Sequence, residues 1–194
     1  MKRCYLIITM LIIFLATFAS GISVKETVQN ALKGDRDLRK INLKGADLKG
    51  LGKMQGVNLE GVDLSGADLS GLEIRKSNLR GANLSDAILV KTEIEESDLR
   101  GAVLNNALMT RAGFAHSDLS GSNLEGVNLN NTDLFHTNLK NANLKGASLE
   151  RADLTGANFD GVDISGAIFK DARYLDKAKN IDKAIGIDMA IGLK

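Results

Sequence analysis

From Met54 to Phe169 a large apolar residue stands at every fifth position without interruption, 24 in succession. The series begins Met54, Leu59, Leu64, Leu69, Ile74 and ends Leu149, Leu154, Phe159, Ile164, Phe169. A period of five matches neither the roughly 3.6 residues of an α-helical turn nor the roughly 2 of a strand. No single amphipathic element can therefore place these side chains on one face. Each five-residue unit is also too short to bury its own apolar group, so successive turns of the chain must stack to build a continuous core.

The units are alike beyond their centres. Two residues before the centre stands a small side chain, as at Ala67, Ala82, Ala102, Ser117, Thr132 and Ala152. Asp or Asn usually separates the two, as in GADLS, GANLS, NANLK and RADLT, and glycine often follows the centre by two. Proline is absent from all 194 residues, which suits a coil in which each turn donates backbone N–H groups to the next. The pattern resembles the pentapeptide-repeat family, with consensus A-(D/N)-L-x-x, over about three quarters of the chain. The resemblance implies an all-β solenoid, a right-handed quadrilateral β-helix with four pentapeptides per coil. On that architecture residues 20 apart stack, the chain makes about six to seven coils, and the 24 repeats span roughly 30 Å at the spacing of paired strands. Short helical caps are expected at one or both ends. An earlier run, Leu38, Leu43 and Leu48, is one residue out of phase, which places a bulge or longer corner in LKGLGKM.

Residues 1–21 read as a signal peptide or a membrane anchor. Lys2 and Arg3 precede a 15-residue apolar run, and small residues follow. That run is short for a spanning helix, which needs roughly 20 residues. Export to the periplasm or medium is the expectation, with an inner-membrane anchor as the alternative. The single cysteine, Cys4, lies in this segment, so the rest of the chain forms no disulfide. Residues 22–34 read as an N-terminal cap helix, with Ser23 and Glu26 spaced as a capping box and Gly34 at its end. Val24, Val28 and Leu32 would cover the first coil. The repeats occupy 35–174. In 175–194 the apolar residues Leu175, Ala178, Ile181 and Ile185 recur at helical spacing, which predicts a second cap. Ile187 and Met189 exceed what one short cap buries and are candidates for a homodimer contact, since some members of the family pair through their C-terminal ends.

The 20-residue register shows which outward residues form columns. Glu96, His116 and His136 fall into one, with Phe135 beside them, and are candidate metal ligands or a pH-responsive cluster. Ile88 and Leu108 stack where Asp or Asn is usual, Val90 lies beside them and Val103 on the adjoining face. These four are candidates for a partner-binding patch. Lys91, Arg111 and Arg151 form an interrupted basic corner column, read as a solvated edge.

No catalytic motif, phosphate loop or cofactor signature is present, so neither an enzyme nor a cofactor is expected. Some members of the family mimic DNA and bind gyrase, which requires a strongly acidic cytoplasmic rod. Without Lys2 and Arg3 this chain holds 23 basic against 24 acidic residues, too nearly neutral to imitate a polyanion. No basic face interleaved with aromatics points to nucleic acid either. The reading is a non-catalytic, exported interaction or structural rod with an unidentified protein partner, contacting membrane only if its N-terminal segment is retained.

Overall fold

The computed structural model describes residues 23–193. The signal or anchor segment expected at 1–21 lies outside them. Among the described residues, none belongs to a helix long and apolar enough to cross a membrane.

The chain winds as a four-sided, right-handed solenoid. Pairing between coils is parallel and reduced to one residue per side, the residue before each centre. Numbering the sides in chain order, face 1 carries the outward column Lys53, Glu73, Glu93, Gly113, Asp133, Asp153, Arg173. Face 2 carries Asp37, Asn58, Asn78, Asp98, Asp118, Asn138, Asn158, Lys179, and face 3 carries Asp63, Asn83, Val103, Asn123, Asn143, Asp163, Ile185. Face 4 carries Asp47, Asp68, Ile88, Leu108, Asn128, Ser148, Ile168, Ile191.

Each residue type in the repeat has a physical task. The centres from Leu38 to Phe169 point inward and are at most 1% exposed, forming an unbroken ladder. Full burial of such a side chain contributes about 1.5–3 kcal/mol. The small residue two before each centre is also mostly buried and fills the inner corner. The intervening Asp or Asn accepts a hydrogen bond from the backbone N–H two residues on, as in Ser65 N–H to Asp63 (2.9 Å) and Lys140 N–H to Asn138 (3.2 Å). It thereby satisfies a turn amide that the inter-coil pairing leaves over. The corner needs φ > 0 at the residue two after the centre, which is why glycine recurs there; Gly66 sits at φ 68°.

The ends depart from this regularity. At the start, pairs are 21 apart (Asp37 with Asn58, Asp47 with Asp68) and become 20 apart at Lys53 with Glu73. The extra residue lies in the corner Gly50–Leu51–Gly52, whose glycines have φ of 80° and 72°, where the phase shift in the sequence placed it. Helix α1, Val24–Lys33, packs over the first coil. The Ser23 hydroxyl accepts the Glu26 N–H at 3.1 Å as the N-cap. Only Val28 is fully buried; Leu32 is half-buried, and Val24 points to solvent.

The C-terminal cap helix predicted from Leu175, Ala178, Ile181 and Ile185 is not formed. Residues 174–193 instead make one more coil with sides of six residues, so that pair separations grow from 20 to 23: Asp153 with Arg173, Asn158 with Lys179, Asp163 with Ile185, Ile168 with Ile191. The underlying repeat is YLDKAK, NIDKAI, GIDMAI, GLK. Its first residue turns the corner at φ of 57°, 57°, 72° and 80° (Tyr174, Asn180, Gly186, Gly192), and short 3-10 turns, Leu175–Lys177 and Ile181–Lys183, take up the extra length.

Candidate functional site

Three surface features break the regular pattern. The first is the apolar substitution of the outward column. Ile88 pairs directly with Leu108 on face 4, while Val103 lies around the corner on face 3. They expose 38%, 41% and 36% of their surface, and Val90 is half-buried beside them. The sequence placed all four correctly relative to one another. The cost of these substitutions is visible only in the structure. At Asp63 or Asn123 the side chain holds the amide two residues on; Ile88, Val103 and Leu108 cannot, so three turns forgo that bond for exposed hydrocarbon. Val103 also interrupts the amide ladder of face 3, in which Asn83 donates to Asp63 (3.2 Å) and Asn143 to Asn123 (3.2 Å).

The second feature is the column Glu96, His116, His136. The register brings the three together as expected, but as a stack and not as a chelate. The imidazole centroids are 5.6 Å apart with planes 6° from parallel. Lone pairs of an imidazole lie in its plane, so two face-to-face rings aim them side by side and do not converge on one ion. The Phe135 ring stands edge-on to both, at 5.3 Å from His116 and 4.4 Å from His136. Glu96 is engaged by Lys76 at 3.5 Å, and Glu93 and Glu95 by Arg75. Among the described residues no three His, Cys, Asp or Glu side chains are grouped to hold a metal, so the metal assignment of Glu96, His116 and His136 is corrected to an aromatic stack. Beneath this corner runs a ladder of buried hydroxyls that the sequence reading passed over. Ser77, Ser97 and Thr137 donate to carbonyls of the preceding coil, and the Val57, Ser77 and Ser97 amides donate to Ser77, Ser97 and Ser117 hydroxyls at 3.0–3.1 Å.

The third feature is the end of the rod. In every inner coil the centre amide donates to the next coil and the carbonyl two residues earlier accepts from it, as in Leu154 N–H to Arg173 O and Arg173 N–H to Ala152 O. In the last coil the corresponding amides of Tyr174, Asn180, Gly186 and Gly192, and the carbonyls of Ala172, Ala178, Ala184 and Ala190, have no partner among the described residues. This is an open edge around all four sides. Within it Leu175, Ile181, Ile187 and Leu193, the second residue of each hexad, line a hollow of about 430 Å³ together with Asp176. Tyr174, Ile185, Met189 and Ile191 are 55–58% exposed around the rim. Of the two tail residues singled out in the sequence, Ile187 therefore faces the open end and Met189 stands at its margin. The hexad itself was missed, although its three near-identical copies are a signal of the same kind as the pentads.

Electrostatically the surface is a set of local pairs. The Arg39 guanidinium holds the Asp37 carboxyl down at about 2, assisted by the Arg39 amide. Arg100 lowers Asp98, and Ser65 and Ser165 lower Asp63 and Asp163 through hydroxyl and amide.

Comparison with protein families identifies the repeat. The family model for pentapeptide repeats matches in 8 copies over residues 53–89, 92–131 and 132–171. Among solved structures, QnrB1, a plasmid-mediated fluoroquinolone resistance protein, is 20% identical over 73% of each chain with a TM-score of 0.39. The pentapeptide repeat protein Rfr23 from the cyanobacterium Cyanothece 51142 is 24% identical over 82% of this chain and 97% of its own, TM-score 0.39. One from the Arabidopsis thaliana thylakoid lumen is 28% identical over 64% of this chain and 69% of its own, TM-score 0.36. A search of curated proteins gives no match.

Proposed function

Because this chain belongs to the pentapeptide-repeat family, whose members are generally structural or interaction proteins, we propose that it acts by contact alone: a rigid, non-catalytic rod of the cell envelope that joins a second copy end to end. The open last coil carries this reading. Four amides and four carbonyls left unpaired at an apolar rim are a template for further pairing, and proteins otherwise blunt such edges with charge, proline or a covering element. The N-terminal end has its cover in α1; the C-terminal end has none among the described residues. A two-fold contact of this edge with its own copy would pair the backbone groups and bury Ile187, Met189 and Ile191 in one step.

Export is supported by the basic, apolar, small-residue order of residues 1–21, and the near balance of charge speaks against polyanion mimicry. Light scattering after size exclusion tests the contact. The parent chain is expected to run as a dimer and the double variant Ile187→Asp, Ile191→Asp as a monomer with an unchanged circular dichroism spectrum. A parent that stays monomeric at concentrations well above micromolar would overturn the proposal.

A further inference from the structure

The unpaired backbone groups of the last coil fall at fixed places in its six-residue repeat. The amides belong to the first residue of each side (Tyr174, Asn180, Gly186, Gly192) and the carbonyls to the residue two earlier (Ala172, Ala178, Ala184, Ala190). A two-fold contact runs two such edges antiparallel, and in an antiparallel ladder the residue numbers of donor and acceptor have a constant sum. Donors and acceptors here each recur every six residues. Whichever side meets which, a register that pairs the edge therefore matches positions within the hexad in one and the same way.

That matching decides which side chains face each other across the joint. The residues before each corner, Arg173, Lys179, Ile185 and Ile191, meet only one another. Lys177, Lys183 and Met189, at the fourth position, meet only the apolar second position. Third positions meet only third positions, and on three of the four sides these are Asp176, Asp182 and Asp188. A lysine at 194, the third residue of the last side, can offset no more than one of them per copy, so aspartate faces aspartate in every register.

All three aspartates are exposed, and each lies in the turn at the middle of its side. Asp176 also borders the hollow at the end of the rod. Within its own chain Asp176 is paired with Lys177 at 3.0 Å. Asp182 is followed by Lys183 and Asp188 by Met189, and neither carboxylate makes an ion pair among the described residues.

We propose that these aspartates gate the end-to-end contact: two ends join weakly while they are ionised and tightly once they take up protons. This rests on the contact proposed above and adds its regulation. Backbone pairing and burial of Ile185, Ile187 and Ile191 draw the ends together. Bringing carboxylates out of water against one another, with Arg173 and Lys179 directed elsewhere in the ladder, opposes it. Protonation removes that repulsion, so the dimer tightens as pH falls from about 7 toward the ordinary carboxylate range near about 4.

The test is the dimer dissociation constant by sedimentation equilibrium at about pH 7 and about pH 4.5, for the parent chain and for Asp176→Asn, Asp182→Asn and Asp188→Asn together. At neutral pH the triple variant is expected to associate at least about tenfold more tightly than the parent. It should also lose most of the parent's pH dependence, which excludes the two histidines as its source. Asp118→Asn, on face 2 away from the end, should change neither. Circular dichroism of the triple variant is expected to match that of the parent, since the exchange is isosteric and the side chains are exposed. An equal or weaker dimer in the triple variant, or the same pH dependence in both proteins, would overturn the gate and leave the contact standing. No association of either protein at either pH would remove the contact and the gate together.

Discussion

Val103→Asn should stabilise the isolated protein, although it replaces an apolar strand residue with a polar one. The new carboxamide would stand between Asn83 and Asn123 in the face 3 column. It can accept the Asn105 N–H, as Asn123 accepts that of Glu125 at 3.2 Å. It can also donate to Asn83 and accept from Asn123, as Asn143 donates to Asn123 at 3.2 Å. Three partly exposed hydrogen bonds contribute about 0.5–1 kcal/mol each at the lower end of the usual range. Against them stands the packing of a valine already 36% exposed, about 1 kcal/mol. The balance is a gain of about 0.5–2 kcal/mol, which for a chain of this size raises the melting temperature by roughly 1–8 °C. Thermal unfolding followed by circular dichroism, with Val103→Ser as a control that loses the packing without completing the ladder, measures it. A fall of more than about 2 °C in Val103→Asn would mean that the valine is retained for stability and that the ladder argument fails.

Other consequences follow from the same geometry. Leu119→Ala opens a cavity in the central ladder, where the residue is 1% exposed, and should cost about 2–5 kcal/mol; a loss below about 1 kcal/mol in urea titration would show that neighbouring coils close the gap. Gly156→Ala should be more damaging than Gly81→Ala, because both have left-handed φ but only at Gly156 does a Cβ meet the His136 ring, at 2.8 Å; His136→Ala should restore part of the difference in melting temperature, and no rescue would refute the steric account. In acid, the lowered carboxyls of Asp37, Asp63, Asp98 and Asp163 favour the folded state while ionised. Their contribution is present above the unfolded value near pH 4 and is lost as pH falls through the folded values, about 2 for Asp37. The urea midpoint should therefore be lower at about pH 2.5 than at about pH 5, and an equal or higher midpoint would contradict the assignment of these ion pairs and turn bonds.

The coil architecture was legible because period five leaves few alternatives. One apolar residue per side and one small residue per corner report burial directly, and the phase slip at Leu51–Gly52 is readable as one inserted residue. The C-terminal coil was misread for a definite reason. A hexad with apolar residues at its second and fifth positions, Leu175, Ala178, Ile181, Ala184, repeats every three residues, which imitates one face of a helix. Reading the whole unit, with Asp at its third position and Ala at its fifth, would have separated the two. The histidine column was correctly placed by register, but register fixes only the backbone; ring orientation, which decides between a chelate and a stack, depends on Phe135 filling the space beside both imidazoles. The loss of a turn hydrogen bond at Ile88, Val103 and Leu108 was likewise invisible until the partner of each Asp and Asn was known.

Whether a second copy covers the unpaired backbone edge of the last coil can be read from single amides. Amide hydrogen exchange, resolved to single residues and measured at low and high protein concentration, addresses it directly. The amides of Tyr174, Asn180, Gly186 and Gly192 are expected to exchange fast in dilute solution and to become protected on association, while those of Leu154, Phe159, Ile164 and Phe169 one coil inward stay protected throughout. Protection of the four outer amides in the dilute monomer, or fast exchange that persists in the associated form, would contradict it.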